Sequence, residues 1–365
     1  MSSKTDFNLN SGEQKVIIRA DATGRIGTGH VMRCLAFAQA LKTGNYAVAF
    51  ITVCESKLLN KRLLDEGFQV IPVVRSHPNP SDWQMTSKVL RSHPNAWVVL
   101  DGYHFDPEYQ EQVRNAGHRL MVIDDYNHLD AYHADILLNQ NIGSQKLTYS
   151  CNNDTVCLLG PQYALLRDEF LRCKRTIRGS GQYVRNALVT LGGADPDNIG
   201  LKVVRALIRT SLNNIATQVV AGPMNTATQT LQNEIDDARK AGLPGANGIE
   251  IVQNANMPEL MANADIAVSS GGSTCWELCF FGIPFLVIIA ADNQREIAFG
   301  LERTEAAICL GWHSEVTERQ LQTQFETLVA DTKRRQAMSA NGRSLVDGKG
   351  RSRVLKEVNL SYKLH

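Results

Sequence analysis

Residues 16–33 run Val16-Ile-Ile-Arg-Ala-Asp-Ala-Thr-Gly-Arg-Ile-Gly-Thr-Gly-His-Val-Met-Arg33. An apolar run is followed at once by a turn with three glycines, and then by apolar residues at helical spacing. This order predicts a buried strand, a tight turn and a helix. Because the strand is apolar on both faces, we expect it to lie in a parallel sheet that helices cover on both sides.

The same alternation continues along the chain. Further strands are predicted at residues 46–53, 69–74, 97–100, 119–123 and 135–138, with helices such as 31–42 and 57–66. A second series has strands at 187–191, 216–221, 249–252, 266–269, 284–289 and 307–310, with helices at 199–209, 226–241, 258–264, 274–281, 295–305, 318–330 and 332–346. The pattern predicts an α/β chain of two Rossmann-like domains that face each other across a cleft.

A basic, glycine-bearing stretch without periodicity separates the two series and predicts a linker. We therefore expect a flexible lead-in at 1–15, a first Rossmann-like domain at 16–172, a linker at 173–185, a second Rossmann-like domain at 186–346 and a tail at 347–365. The tail has three candidate roles: a helix that crosses back to the first domain, a dimer contact or a docking element.

Composition excludes several classes of protein. The 365 residues carry a net charge of +1 with no basic block, so a nucleic-acid partner is not expected. No apolar run approaches the roughly 20 residues that cross a bilayer, and the polar N-terminus has no signal-peptide core, so we expect a cytoplasmic protein without stable membrane association. The eight cysteines form no CxxC pair, and Cys275 and Cys279 have no nearby histidine. We expect reduced thiols and no metal or other cofactor.

His30 is the sharpest candidate for a catalytic residue. It begins a helix at the carboxyl end of the first predicted strand, where open α/β sheets bind ligands. An imidazole is a competent base at neutral pH, and the surrounding glycines leave room for a substrate. Arg19, Asp21 and Gly29 flank it and are predicted to bind substrate. Asp21 is expected to orient the imidazole, or else to pair with Arg19 or Arg33.

Two glycine turns in the second domain predict a diphosphate site. The first is Gly192-Gly193-Ala-Asp195, and the second is Ser270-Gly-Gly272-Ser273-Thr274 at the start of a helix. Backbone N–H groups at a helix N-terminus favour an anion. Glu277, about one turn into that helix, is predicted to accept hydrogen bonds from the ribose hydroxyls. The competing interpretation is that Ser273 is a helix cap and the glycines are tight turns.

The first glycine turn differs from the dinucleotide-binding fingerprint. The fingerprint is G-x-G-x-x-G, followed by an acidic residue about 20 positions later. Here the order is G-x-x-G-x-G, and only Glu55 stands where the acid would be. The spacing of the glycines disfavours dinucleotide binding.

Further candidate residues follow later strands. Tyr103 and Asn293 are candidate sugar contacts, and Asp124 and Asp125 are candidates that also suit a cap or turn.

Several motifs, in order, resemble the PseG family of UDP-sugar hydrolases from pseudaminic acid synthesis, which is similar to GT-B glycosyltransferases such as MurG. They lie within about residues 16–305: Arg19-Ala-Asp21, Ile26-Gly-Thr-Gly-His30, Asp101-Gly-Tyr103, Ile123-Asp-Asp125, Ala134-Asp-Ile-Leu-Leu-Asn139, Tyr163-Ala-Leu-Leu-Arg167, Gly192-Gly-Ala-Asp195, Ser270-Gly-Gly-Ser-Thr274 with Glu277, and Asn293-Gln294.

The resemblance implies a GT-B fold whose final helix crosses back to the first domain. It implies hydrolysis of UDP-2,4-diacetamido-2,4,6-trideoxy-β-L-altropyranose to UDP and free sugar, with inversion and without metal. His30 matches the family's base, Tyr103 and Asn293 its sugar site, and Glu277 its ribose ligand. The small-molecule nucleotide sugar is the expected partner of a monomer or weak dimer. Two alternatives stay open: an inverting GT-B glycosyltransferase, and a non-catalytic protein that binds UDP-sugar.

Overall fold

The computed structural model describes residues 14–173, 183–212, 214–222 and 224–363. The chain forms two compact units. One runs to Arg167 and takes in the chain from Lys349 onward, and the other is Asp168–Gly348. The predicted lead-in and linker lie outside the described residues, except for residues 14–15, 173 and 183–185, and Gln14 and Lys15 already belong to the first strand.

The first unit holds seven strands in a single parallel sheet of order β3-β2-β1-β4-β5-β6-β7. The strands are β1 (Gln14–Ala20), β2 (Tyr46–Thr52), β3 (Gln69–Pro72), β4 (Trp97–Asp101), β5 (Arg119–Ile123), β6 (Ile136–Asn139) and β7 (Val156–Leu159). The helices are α1 (Gly29–Thr43), α2 (Lys57–Asp65), α3 (Pro80–Ser92) and α4 (Pro107–Asn115).

Apolar clusters cover both faces of this sheet, which explains the continuous apolar runs of its strands. Ile18 and Phe50 pack on one face with α1, whereas Ile17 and Ile51 pack on the other with α3 and α4. Strand β7 was not predicted from the sequence. It lies at the edge of the sheet, where Val156 and Cys157 are exposed, so it lacks the apolar pattern of the central strands.

The second unit holds six parallel strands in the order β10-β9-β8-β11-β12-β13. The strands are β8 (Asn186–Thr190), β9 (Ala216–Ala221), β10 (Ile249–Gln253), β11 (Ile266–Ser270), β12 (Phe285–Ile289) and β13 (Ala307–Trp312). The helices are α5 (Asp168–Arg172), α6 (Ile199–Ile208), α7 (Thr228–Lys240), α8 (Met257–Asn263), α9 (Thr274–Phe281), α10 (Arg295–Arg303), α11 (Glu318–Ala330) and α12 (Thr332–Leu345). The prediction of two Rossmann-like parallel-sheet domains is confirmed.

The strand order fixes where ligands can bind in each unit. The chain runs outward from β1 to β3, returns to the other side of β1 at β4, and does the same from β8 to β11. Loops that leave two adjacent strands in opposite directions open a crevice at the carboxyl ends of those strands. The two crevices therefore lie at β1/β4, beside His30, and at β8/β11, beside both glycine turns of the second unit.

The last helix, α13 (Gly350–Lys363), returns to the first unit and packs on α1. Val354 and Val358 are buried in the core cluster that contains α1, and Leu355 packs against it. The Tyr46 hydroxyl donates a hydrogen bond to the Asn359 side chain. Of the three roles left open for the tail, these contacts fit a helix that crosses back.

Helix α5 belongs to the second unit, where Phe170 packs edge-on against Phe281.

We predict that Val354→Ala lowers the free energy of unfolding of the first unit by about 2 kcal/mol, because it opens a cavity where α13 meets α1. Urea denaturation followed by circular dichroism measures the change. Lys356→Ala, on the exposed face of the same helix, is the matched control and should be nearly neutral. Equal stability of the two variants would contradict the packing role of α13.

Candidate active site

The first crevice contains a charged cluster built around Asp101, the last residue of β4. Its Oδ1 lies 2.6 Å from Nδ1 of His30, at the start of α1. One turn further along α1, Arg33 donates from Nε to Oδ2 and from Nη2 to Oδ1, both at 2.6 Å. The Asp101 carboxylate is fully buried, and His30 keeps 9% of its surface exposed. The cluster therefore holds a buried anion under a partly accessible imidazole.

This contact decides which nitrogen of His30 is available for chemistry. A carboxylate can only accept hydrogen bonds, so the short contact assigns the proton to Nδ1. Nη2 of Arg33 also lies 3.2 Å from Nδ1, but its donation to Asp101 is shorter. The other ring nitrogen, Nε2, is then an acceptor, as a general base requires. The geometry is that of a histidine base oriented by a carboxylate.

Asp101 stays ionised although it is buried. Burial alone would raise the pKa of its carboxyl group, but the charge of Arg33 and the hydrogen bonds from Arg33 and His30 outweigh burial. The pKa of Asp101 therefore lies well below its ordinary value of 3.8. In the sequence analysis, Asp101 appears only as part of the Asp101-Gly-Tyr103 motif. Its position at the carboxyl end of a fully apolar run was the signal that could have marked it as a candidate.

Tyr103 and Asp125 extend the cluster toward β5. The Tyr103 hydroxyl donates to Oδ2 of Asp125 at 2.5 Å, and Arg33 and Asn141 donate to Oδ1 at 2.7 and 2.8 Å. The Tyr103 ring lies edge-on to His30, with the ring centroids 4.9 Å apart. Tyr103, which the sequence placed in the sugar site, is thus in contact with the candidate base.

Asp21 does not orient His30. Its carboxylate pairs with Arg19, accepts from Val53 N–H at 2.6 Å and lies 3.0 Å from Nε2 of His104. Arg19 also pairs with Asp82, and both Arg19 and Asp21 are fully buried. The alternative in which Asp21 pairs with Arg19 is therefore correct. Direct substrate contact, predicted for these two residues, is not supported, because a ligand would have to open a satisfied ion-pair network.

A side chain from another loop supports the glycine turn before α1. Gly24 N–H donates to the Glu55 carboxylate at 2.7 Å. Glu55, the candidate acid of the dinucleotide-binding fingerprint, therefore supports this turn. Gly29, predicted to bind substrate, is exposed at the start of α1, and a Cβ built there would meet no atom within 4 Å. The turn therefore leaves open space beside His30.

In the second crevice, the turn after β11 presents the N-terminus of α9. Gly271 N–H donates to Oε1 of Gln294 at 3.0 Å, and Ala290 N–H donates to the same oxygen at 3.0 Å. Gln294 thus ties the loop after β11 to the loop after β12. The backbone N–H groups of Gly272, Ser273 and Thr274 have no acceptor among the described residues, as expected for the first turn of a helix. Ser273 makes no side-chain cap there.

The turn after β8 differs from the expectation of a second open helix N-terminus. Gly192 has a φ of +91°, which a residue with a side chain rarely adopts. The Asp195 carboxylate, however, accepts from Ile199 and Gly200 N–H at 2.9 and 2.8 Å. The positive end of α6 is therefore occupied by a side chain of its own loop. Of these two helices, α9 rather than α6 presents an N-terminus that no side chain of its own loop caps, and Gly192 and Gly193 can contribute their backbone.

The other two predicted nucleotide and sugar ligands lie beside these loops. Glu277 is half-buried in the first turn of α9. Asn293 is half-buried in the 3-10 turn Asp292–Gln294, directly after β12. Both follow the carboxyl ends of strands of the second unit, as Gly272, Ser273 and Thr274 do.

None of the described parts of the chain brings together three His, Cys, Asp or Glu side chains that could hold a metal ion. No helix in residues 14–363, apart from the gaps given above, is long and apolar enough to cross a membrane.

Comparison with known proteins defines the class of fold. The structure is similar to MurG from Acinetobacter baumannii, with a TM-score of 0.67 at 16% identity over 95% of this chain and 99% of that one. It is also similar to Alr3699/HepE of Anabaena, solved in complex with UDP-glucose, with a TM-score of 0.61 at 10% identity over 95% of this chain and 100% of that one. The fold is GT-B.

Sequence comparison points in the same direction. Residues 207–352 match the glycosyltransferase family 28 C-terminal domain. The spore coat polysaccharide biosynthesis protein SpsG of Bacillus subtilis is 25% identical over 92% of this chain and 95% of its own. The UDP-2,4-diacetamido-2,4,6-trideoxy-β-L-altropyranose hydrolase of Campylobacter jejuni is 24% identical over 79% and 96%.

A third relative is longer than this chain. It is the uncharacterized protein MJ1062 of Methanocaldococcus jannaschii, 29% identical over 77% of this chain, and the match spans only 57% of its length. Together the comparisons show a protein of GT-B fold. Part of its second unit matches a glycosyltransferase domain model, and the chain is distantly similar to SpsG and to the Campylobacter jejuni hydrolase.

We predict that Asp101→Asn lowers the free energy of unfolding by about 3 kcal/mol at neutral pH, because it leaves the Arg33 charge undercompensated in a buried site. The unfolded carboxyl has its ordinary pKa, and the folded one is lower, so the stability that Asp101 contributes is present above about pH 4. It is lost as the pH falls from there toward the folded pKa. The difference in free energy of unfolding between the wild type and Asp101→Asn should therefore become smaller in acid.

Urea denaturation at several pH values measures this gap. Asp130→Asn, an exposed carboxyl in the same unit, is the control and should change neither the stability nor its pH dependence. A gap that stays constant down to pH 2 would contradict an ionised Asp101.

Proposed function

We propose that this protein hydrolyses a UDP-sugar to UDP and free sugar, and that the sugar is a 2,4-diacetamido-2,4,6-trideoxy hexose such as the β-L-altropyranose. The observation that carries the proposal is the Asp101–His30 pair, which supplies an oriented, partly accessible base at a topological switch point. The choice of sugar rests on the similarity to the Campylobacter jejuni hydrolase.

The proposed chemistry needs one base. Nε2 of His30 takes a proton from water while the water oxygen bonds to C1 of the sugar, and the C1–O bond to the diphosphate breaks on the opposite face with inversion. His30 becomes an imidazolium, and the Asp101 carboxylate stabilises that charge through Nδ1–H. UDP leaves as an anion, so no general acid is required.

The second unit would recognise the leaving group. The free N–H groups at the start of α9 suit the diphosphate oxygens, and the helix dipole favours their negative charge. We assign the ribose hydroxyls to Glu277 and a sugar contact to Asn293. Gln294 has a different role in this scheme: its side-chain oxygen holds the two loops in position and is not free for the sugar.

We predict that His30→Ala lowers the turnover number for the UDP-diacetamido sugar by about 100- to 10,000-fold, because the base is lost. Asp101→Asn should also lower turnover, because it removes the acceptor that fixes the tautomer of His30. Proton NMR of purified protein without acceptor or metal measures release of UDP and free sugar, and the anomeric signal of the first product reports inversion. UDP-GlcNAc is the parallel substrate.

His133→Ala, a half-exposed histidine of the same unit, is the matched control and should retain activity. UDP affinity, measured by calorimetry, should be unchanged in all three variants, which separates lost chemistry from lost folding. An intact substrate with the wild-type protein would exclude hydrolysis of that sugar. Binding without turnover would favour the non-catalytic alternative.

A second candidate is an inverting glycosyltransferase, favoured by the match to the glycosyltransferase family 28 C-terminal domain. The same base would then deprotonate an acceptor hydroxyl in place of water. The two functions separate in the NMR experiment: a hydrolase releases free sugar without acceptor, whereas a transferase leaves the donor intact until an acceptor is added.

We predict that Glu277→Ala weakens UDP binding by about 10- to 100-fold, the size expected for lost hydrogen bonds to a charged acceptor. The same substitution should leave binding of 2′,3′-dideoxy-UDP unchanged, because that ligand lacks both hydroxyls. Calorimetry with the two ligands measures the difference. Glu259→Ala, in the first turn of α8, is the control. Equal losses for both ligands would show that Glu277 acts on the fold and not on the ribose.

A further inference from the structure

Two cysteines lie side by side at the outer edge of the first unit, away from the groups assigned to catalysis. Cys157 is exposed in the edge strand β7, where it pairs with Leu137 of β6. Cys151 is half-buried, forms a backbone bridge with Tyr132, and packs on the same apolar cluster as Leu137. Residues paired across parallel strands project to the same face of a sheet. Both thiols therefore lie on one face.

A tight turn brings the two residues together. Thr155 N–H donates to the Asn152 carbonyl at 3.0 Å, which closes a turn between the two cysteines. The Thr155 hydroxyl donates to the Ala134 carbonyl at 2.7 Å, and Val156 N–H donates to the Asp135 carbonyl at 2.9 Å. These bonds fix the turn against the chain that leads into β6. The Cys151 thiol lies close enough to Cys157 for the two groups to interact electrostatically.

We propose that Cys151 and Cys157 form a reversible intramolecular disulfide, and that they are a site of thiol oxidation by low-molecular-weight disulfides such as oxidised glutathione. Cys275 and Cys279, one helical turn apart in α9, are both fully buried and closed to such an oxidant.

The exchange has two steps. The exposed Cys157 thiolate attacks one sulfur of oxidised glutathione, and a mixed disulfide forms as one glutathione thiolate leaves. The Cys151 thiolate then attacks the Cys157 sulfur, and the second glutathione leaves. The two protein thiols lose two protons and two electrons, and one glutathione disulfide becomes two glutathione thiols.

The first step makes the second easier. Burial raises the pKa of Cys151 to about 12, together with the neighbouring Cys157 group. Once Cys157 is bound to glutathione, it can no longer carry a negative charge that opposes ionisation of Cys151. Cys151 then ionises more readily beside the sulfur that it attacks.

The disulfide would close one end of the segment between β6 and β7. That segment carries Tyr149, whose hydroxyl donates to Asp124 at 2.7 Å, and Asn141, which donates to Asp125. Asp125 holds Tyr103 and Arg33, as described above. The proposed bond therefore lies in the chain segment that supports the carboxylates after β5, and it does not depend on the proposed function.

The test is titration of the full-length protein in glutathione redox buffers, followed by alkylation of free thiols and mass spectrometry of peptides. We expect the native protein to lose two free thiols and to yield a cross-linked pair, Cys151 with Cys157, that dithiothreitol reverses. Cys157→Ser should abolish the cross-link, and Cys151→Ser should leave Cys157 as a mixed disulfide with glutathione. Cys309→Ser, a half-buried cysteine of the second unit, is the matched control and should leave the cross-link intact.

Three results would overturn the proposal. They are a wild-type protein in which Cys157 stops at the mixed disulfide, a bond from either cysteine to a different cysteine or a second chain, and a cross-link that forms only in urea. Circular dichroism of each serine variant verifies that it is folded, so a missing cross-link cannot be attributed to unfolding.

Discussion

The carboxylate of Asp101 is the group on which the first crevice depends. It is fully buried at the end of β4, and it accepts four hydrogen bonds from α1, one from His30, two from Arg33 and one from the Cys34 thiol. A buried anion in an apolar sheet is tolerated only when it is paired and hydrogen-bonded. The hydrogen bonds that stabilise the buried Asp101 carboxylate include the one that orients the His30 imidazole. The same contacts therefore stabilise this crevice and position the candidate base.

Arg33 links the charged groups of the first crevice. It offsets the negative charge of Asp101 with two hydrogen bonds and donates a third to Asp125. Asp125 in turn accepts from Tyr103, so the aromatic ring beside His30 is held by the same charges. One network of charged groups, carried by α1, β4 and the residues after β5, therefore positions both the His30 imidazole and the Tyr103 ring.

Much of this arrangement follows from the sequence, and each exception has a physical cause. The parallel sheets were predicted because apolar runs report burial on both faces, and His30 because its glycine turn is local. The partner of His30 was not, because Asp21 is close to it in sequence whereas Asp101 is 71 residues away. Which carboxylate reaches the imidazole depends on strand order, and the adjacency of β1 and β4 is not encoded in any short segment. The turn after β8 differs from its prediction for the opposite reason: a local contact, the Asp195 cap on α6, competes with an anion for the same N–H groups.

The two crevices divide the proposed reaction in a way that their electrostatics favours. The first has a buried anion and a base, which stabilise positive charge as the imidazole takes up a proton. The second offers free N–H groups at the start of α9 and suits the negative charge of a departing diphosphate. Gln294 keeps that helix end in place through two backbone donors from neighbouring loops, so its N–H groups need no reorganisation when charge develops. Each charge that the proposed reaction develops thus has a matching group in one of the two units, which is why the proposal assigns no general acid.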